Sequence, residues 1–144
     1  MIHKLTRTNY TETTLSISLL TLRIGVGVLM MHHGYGKLTH FDEYKAGFLN
    51  FLGLGPVISL CLVIFAELFC SAMILIGFFT SLFTIPLIIT MGVAIFIAHD
   101  AAIFAKGELA TLYLFVYVAI MFVGPGRYSV DALIAKTLNN KKSQ

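Results

Sequence analysis

The sequence predicts an all-α integral membrane protein: a bundle of four transmembrane helices, with a short amphipathic interfacial helix between helices 1 and 2. Three observations predict it. Of the 144 residues, 58% are hydrophobic and 12% charged, and the mean hydropathy is +0.88. A soluble domain is closer to half apolar and a quarter charged. The charges gather at the two ends and between long apolar blocks. Those blocks have membrane-crossing length, since a hydrocarbon core about 30 Å thick takes roughly 20 helical residues. Four spans with short connections use up the chain and leave no room for a separate soluble domain.

The first span is expected over about 15–34, after a polar segment 1–14. Arg23 interrupts it, and no small-residue cleavage site follows before His32 and His33. It is therefore read as a retained helix rather than a signal peptide. Gly25 and Gly27 suit close helix contact, where small residues let backbones approach. From Leu38 to Gly55, Phe41, Tyr44, Phe48, Phe51 and Leu52 recur at helical spacing, which predicts an amphipathic helix on the membrane surface. Pro56, a residue tolerated in a first helical turn, opens the second span over 56–79. The third runs over 82–99 and the fourth over 109–123. Gly124-Pro125-Gly126 stops the fourth. A surface helix over 132–138 and a polar tail ending the segment 136–144 complete the reading.

The net charge of +3 comes mostly from the tails, with Lys4 and Arg7 at one end and Lys136, Lys141 and Lys142 at the other. This is the positive-inside pattern of a membrane protein and not a nucleic-acid footprint. Four spans place both termini on one side, predicted cytoplasmic, in a cell (inner) membrane. The connections bearing Lys37, Asp42, Glu43 and Lys45, and Asp100, Lys106 and Glu108, have no positive excess and fall on the outer side. Cys61 and Cys70 are nine residues apart in one apolar run, about 13.5 Å along a helix, which is beyond disulfide reach. They read as small apolar residues.

Arg23 and Glu67 are the charges expected at mid-membrane. Charged side chains at that depth are costly and usually face the bundle interior and pair, so an Arg23–Glu67 ion pair is predicted. It either locks two helices or forms the charged floor of a polar cavity. At the outer face, helix ends are expected to gather His33, Lys37, His99, Asp100 and Glu108. At 100° per residue His33 lies about 80° from Arg23 and His32 about 180° away, so His33 is the inward histidine. Four readings stay open for His33 and His99. They are a bis-histidine haem, a metal site completed by a carboxylate, proton exchange with a redox head group such as a quinone, and interfacial histidines without chemistry. Haem and metal rank low, since neither has a further signature in the chain. Tyr113 and Tyr117, four residues apart, share one face of the fourth span and could reach the charged level, although packing tyrosines are more common. Gly34-Tyr35-Gly36 is no nucleotide fingerprint, because no strand precedes it.

The segment Gly124-Pro125-Gly126-Arg127-Tyr128-Ser129-Val130-Asp131 resembles a signature of DoxX-family membrane proteins. Leu22-Arg23-Ile24, Gly27, His33-Gly34, Lys37, Glu67, His99 and Gly107-Glu108 stand in matching order. The resemblance spans about residues 15–135. It implies a small four-helix membrane protein of the wider DoxX/MauE-like group, which includes methylamine-utilisation membrane subunits. Some members resemble thiosulfate:quinone oxidoreductases, and others are linked to oxidoreductase complexes in redox-stress defence. The chain has no Cys-x-x-Cys pair, which disfavours disulfide exchange.

The expected function is that of a membrane subunit of a redox system, binding a quinone or similar lipid-soluble molecule in a polar cavity open to the outer face. Its partner would be a soluble or membrane oxidoreductase. If the chain is enzymatic, it is a quinone-linked oxidoreductase subunit. His33 and His99 would exchange protons, and Arg23, Lys37, Glu67, Glu108, Tyr113 and Tyr117 would line the site. Arg127 and Tyr128 would anchor the inner interface, with Asp131 as the partner of Arg127. The alternatives are a non-catalytic scaffold or assembly factor for a partner oxidoreductase and, with less support, a small-solute permease, for which no duplicated half is visible.

Overall fold

The computed structural model of the chain describes residues 11–142. Lys4 and Arg7, and with them most of the expected N-terminal segment, lie outside the described residues. Among the described residues every regular element is helical. Helix α1 is Glu12–Thr39, α2 Phe41–Lys45, α3 Pro56–Ile76, α4 Thr80–Ala98, α5 Glu108–Val123 and α6 Val130–Lys142. Of these, α1, α3 and α4 are long and apolar enough to cross a membrane, and α5 is a shorter apolar helix of the same kind.

The outside of the bundle is more apolar than its inside. Ile24, Val28, Leu29, Ile58, Leu62, Leu82, Ile85, Ile89, Leu112 and Phe115 are all exposed, whereas Ser16, Arg23, Ser59, Glu67, Ser71, Thr80 and Thr84 are buried. An apolar exterior this extensive is solvated by lipid, not water. Along α1 the buried positions are Ser16, Leu19, Arg23, Val26, Gly27, Met30 and Gly34. Their three- and four-residue spacings define the stripe that faces the core. Val26, Met30, Cys70, Ile74, Leu87, Met91, Tyr117 and Ile120 make up much of the centre.

Two glycines set the register of α1 against α3. A Cβ on Gly34 would lie 2.9 Å from the Leu68 nitrogen and 3.0 Å from Glu67, and one on Gly27 would lie 3.0 Å from Leu75 and 3.3 Å from the Ser71 carbonyl. The backbones approach this closely only because no side chain intervenes. Gly25, by contrast, has nothing within 4 Å and faces outward, so only one of the two glycines expected at the contact is there.

Several elements differ from expectation. Helix α1 has 28 residues, about 42 Å at the helical rise. It is N-capped by Thr11, whose hydroxyl accepts from the Thr14 amide, and it absorbs His32 to Lys37 into its last turns. The single amphipathic helix over 38–55 is replaced by the five-residue α2 and a 3-10 turn, Phe51–Gly53. Gly47 and the left-handed Leu52 (φ 51°) interrupt the run, and Leu52 is 81% exposed. The C-terminal surface helix is longer than its sequence pattern, running to Lys142 with no break at Asn139.

Candidate functional site

Polar groups collect in two places, one at each end of the bundle. At the histidine end, α3 contains a π-helical turn, Phe65–Cys70, a feature that recurs at functional sites. The turn buries Ala66 and Glu67 together, then Cys70 and Ser71. Glu67 receives a 2.6 Å hydrogen bond from the Lys37 ammonium on α1, and their side chains are 6% and 20% exposed. The bare backbone of Gly34 lets α1 come close enough for this pair to form. His33 lies beside it, within electrostatic range of Glu67, and its ring stands edge-on to Tyr113 at 6.4 Å. Tyr113 in turn stacks on Tyr117, with centroids 6.0 Å apart. The Tyr117 hydroxyl lies next to Ser71, outside bonding geometry, so both hydroxyls are buried without a hydrogen-bond partner.

The other end is a clamp. Helix α3 ends in a Schellman turn: the Phe78 and Gly77 amides reach back to the Met73 and Ile74 carbonyls, with Gly77 left-handed at φ 75°. Arg23 is wholly buried and donates to the Ile74 carbonyl (3.4 Å) and, through Nη2, to the Tyr128 carbonyl (2.5 Å). Its cation thus sits at the negative end of the α3 dipole. Asp131 does the converse for α4. Its carboxylate accepts from the amides of Phe79 (2.8 Å) and Thr80 (3.0 Å) and from the Thr80 hydroxyl (3.1 Å). Its own amide donates to the Gly77 carbonyl at 2.9 Å. The Ser129 hydroxyl caps α6 by accepting from the Ala132 amide at 3.1 Å.

The expected Arg23–Glu67 pair is therefore not formed. Residue 34 lies opposite 67 and 68, and residue 27 opposite 71 and 75, which brings residue 23 opposite Gly77. Glu67 is about two and a half turns away along α3, paired with Lys37. Asp131 is not the partner of Arg127 either, because it faces back into the 77–80 turn. Arg127 instead forms a 2.9 Å surface pair with Glu12.

The DoxX family model matches residues 18–100. This chain belongs to the DoxX family. No curated protein and no solved structure matches it. The matched span holds the whole α1–α3 interface, with Arg23, His33, Lys37 and Glu67. It stops before Glu108, Tyr113, Tyr117 and the Gly124–Asp131 segment, whose resemblance to the family thus lies beyond the match.

In this DoxX-family chain, the structure brings together Lys37, Glu67, His33, Tyr113 and Tyr117. His99 and Glu108 do not join them. His99 ends α4 after a second π-turn, Ala94–Ala98, and the left-handed Asp100 and Ala101 follow it. Its ring makes no hydrogen bond, ion pair or ring contact among the described residues. Glu108 is exposed beside Lys106 and Phe104 on an outward groove. No cluster of three His, Cys, Asp or Glu suited to a metal occurs among the described residues. Ser71 was missed from sequence, although it stands four residues after Glu67 on one helix face. The roles of Gly34 and Gly77 were missed as well, and the seven-residue step from Gly27 to Gly34 was the available signal for the first.

Proposed function

We propose that the chain is a membrane subunit of a redox system, and that the Lys37–Glu67 site takes the polar head of a lipid-soluble carrier of the quinone class. In this reading α1, α3, α4 and α5 all span a cell (inner) membrane, with both termini cytoplasmic. The segment 40–55 lies at the outer surface. The supporting observation is the buried Lys37–Glu67 pair on a π-turn, flanked by His33, Tyr113 and two unpartnered hydroxyls. Purely structural ion pairs need no such surplus of donors.

The donor set fits a quinone head. Lys37 and Tyr113 can donate hydrogen bonds to carbonyl oxygens. Glu67 accepts from Lys37 and can hold a proton in its place. His33, on the exposed side, connects this level to water and can pass a proton through its two ring nitrogens. A quinone, when bound, supplies a two-electron, two-proton couple. The electrons would come from or pass to a partner oxidoreductase.

The test is extraction. Protein purified in mild detergent is extracted with organic solvent, and the extract is analysed by mass spectrometry for quinone at near-stoichiometric yield. Glu67→Gln and Lys37→Met should lose the quinone while keeping the helical circular-dichroism spectrum. Retention unchanged in both Glu67→Gln and His33→Ala sinks the site. Topology is checked separately, in a variant lacking Cys61 and Cys70. A cysteine placed at Lys45 should react with an impermeant thiol reagent on intact cells, and one at Asn140 should not.

A further inference from the structure

The clamp end carries a surface that the redox reading does not use. Between the first turns of α1, the end of α5 and the start of α6 runs a groove of about 290 Å³, lined by Leu15, Leu19, Val123 and Ala132, with Glu12 and Arg127 at its rim. Its walls are mostly apolar, and Leu15 and Val123 are exposed along it. Gly126 packs on Leu19, at 3.3 Å for a built Cβ, and the Arg127 amide donates to Ser16 at 3.3 Å. These contacts hold the arginine at the groove mouth. Among the described residues the Arg127 guanidinium is held by Glu12 alone, and the two side chains are 64% and 79% exposed. A surface pair of this kind contributes little and exchanges readily.

Helix α6 leaves the bundle at the same level, tied to it by Asp131 and Ser129. Leu133, Ile134 and Leu138 are exposed on it and fall within one arc of about 140°. Lys136 flanks that arc, and Lys141 falls within it at the C-terminal end of the helix. This is the pattern of a helix lying in a bilayer interface with its lysines reaching to the headgroups. The charges of the two ends differ in the same sense. Beyond the internal Arg23–Asp131 clamp, the described residues at this end present Arg127, Lys136 and Lys141 against Glu12. The histidine end sets Lys37, Lys45 and Lys106 against Asp42, Glu43, Glu67, Asp100 and Glu108.

We propose that the clamp end is a binding site for an anionic phospholipid of the protein's own bilayer, with an acyl chain in the α1/α5/α6 groove, the phosphate on Arg127, and α6 lying among the neighbouring headgroups. An incoming phosphate takes the guanidinium from Glu12, because the two non-bridging oxygens of a phosphodiester match the arginine fork at least as well as one exposed carboxylate. Lys136 and Lys141 add attraction to a negatively charged leaflet, each by about fivefold in affinity.

The chain contains no tryptophan, so one introduced tryptophan reports alone. Leu15→Trp places it in the groove and Leu133→Trp on α6. Each full-length variant is reconstituted in phosphatidylcholine vesicles carrying increasing fractions of brominated phosphatidylglycerol or brominated phosphatidylcholine. Contact quenching is then read. Brominated phosphatidylglycerol should quench both positions at about fivefold lower mole fraction, and high salt should erase the difference. Arg127→Gln should remove the preference at Leu15→Trp, while Lys136→Gln with Lys141→Gln should reduce it at Leu133→Trp. Equal quenching by the two lipids at Leu15→Trp overturns the site, and so does the absence of quenching there. A preference that persists at Leu15→Trp in Arg127→Gln overturns the assignment of the phosphate to Arg127.

Discussion

The two polar regions of the bundle handle buried charge in opposite ways. At the clamp end, Arg23 is wholly buried and turned onto backbone carbonyls, while the Asp131 carboxylate is engaged by two amides and a hydroxyl. Cation and anion each complete a helix end, and between them they fasten the 77–80 turn to the C-terminal segment. At the histidine end, Lys37 and Glu67 are bonded to each other and to no helix end, inside a wider helical turn, with unpartnered hydroxyls beneath them. Both charged sites are buried, so burial alone does not distinguish them. What separates them is what the charges bind: backbone groups of helix ends at the clamp, where the Arg23 Nε is left without a partner, and each other beside two unpartnered hydroxyls at the histidine end.

The comparison breaks first at Arg23. Arg23→Leu removes two charge-assisted bonds: the Ile74 carbonyl keeps only the Gly77 amide, and the Tyr128 carbonyl loses its side-chain donor. Stability should fall by about 3 kcal/mol, read as a lower midpoint in denaturant unfolding of the reconstituted protein. If Arg23 instead belonged to a ligand site, the loss would be small and quinone retention would drop. Retention that follows Arg23→Leu at unchanged stability would merge the two regions into one.

Smaller effects come from the glycines. At Gly77 a Cβ would collide with the Arg23 guanidinium and lie 2.5 Å from the Ser129 Cβ, on a backbone at φ +75°. Gly77→Ala should cost about 2 kcal/mol through strain and overpacking together. Gly34→Ala presses on backbone atoms of Glu67 and Leu68 and should cost a similar amount. It should differ from Gly77→Ala in weakening ligand retention too, since it separates Lys37 from Glu67. Gly25→Ala, with open space around it, serves as the control and should leave both readouts unchanged.

Much of the architecture was legible because lipid solvation writes it in long apolar runs. The apolar helices carry the residues expected of them, and Pro56 opens α3 as its position suggests. The pairing of charges was not legible. Depth counted from the expected span ends put Arg23 level with Glu67, but α1 is extended at both ends and its register on α3 is fixed by Gly27 and Gly34. A register error of about two and a half turns reassigns every partner, giving Glu67 to Lys37 and Arg23 to the backbone. The role of Asp131 was hidden for a related reason: its proximity in sequence to Arg127 suggested a local pair, whereas its carboxylate spans 51 residues to reach Thr80. The connection over 38–55 showed helical spacing of aromatics, but Gly47, Gly53 and Gly55 favour breaks that the spacing does not register.

The smallest expected effect separates the two regions most sharply. Ser71 and Tyr117 are fully buried, and their hydroxyls have no partner. An unsatisfied buried hydroxyl is a standing cost, so deleting it removes the cost along with the group. Tyr117→Phe and Ser71→Ala should therefore leave the unfolding midpoint unchanged or raise stability by up to about 1 kcal/mol, whereas any deletion in the clamp lowers it. The same two variants should weaken retention of the extracted quinone if these hydroxyls serve a bound head group. Stability that falls in Tyr117→Phe would mean the hydroxyl is already satisfied within the folded protein. In that case the histidine end is a structural network like the clamp, and the contrast between the regions disappears.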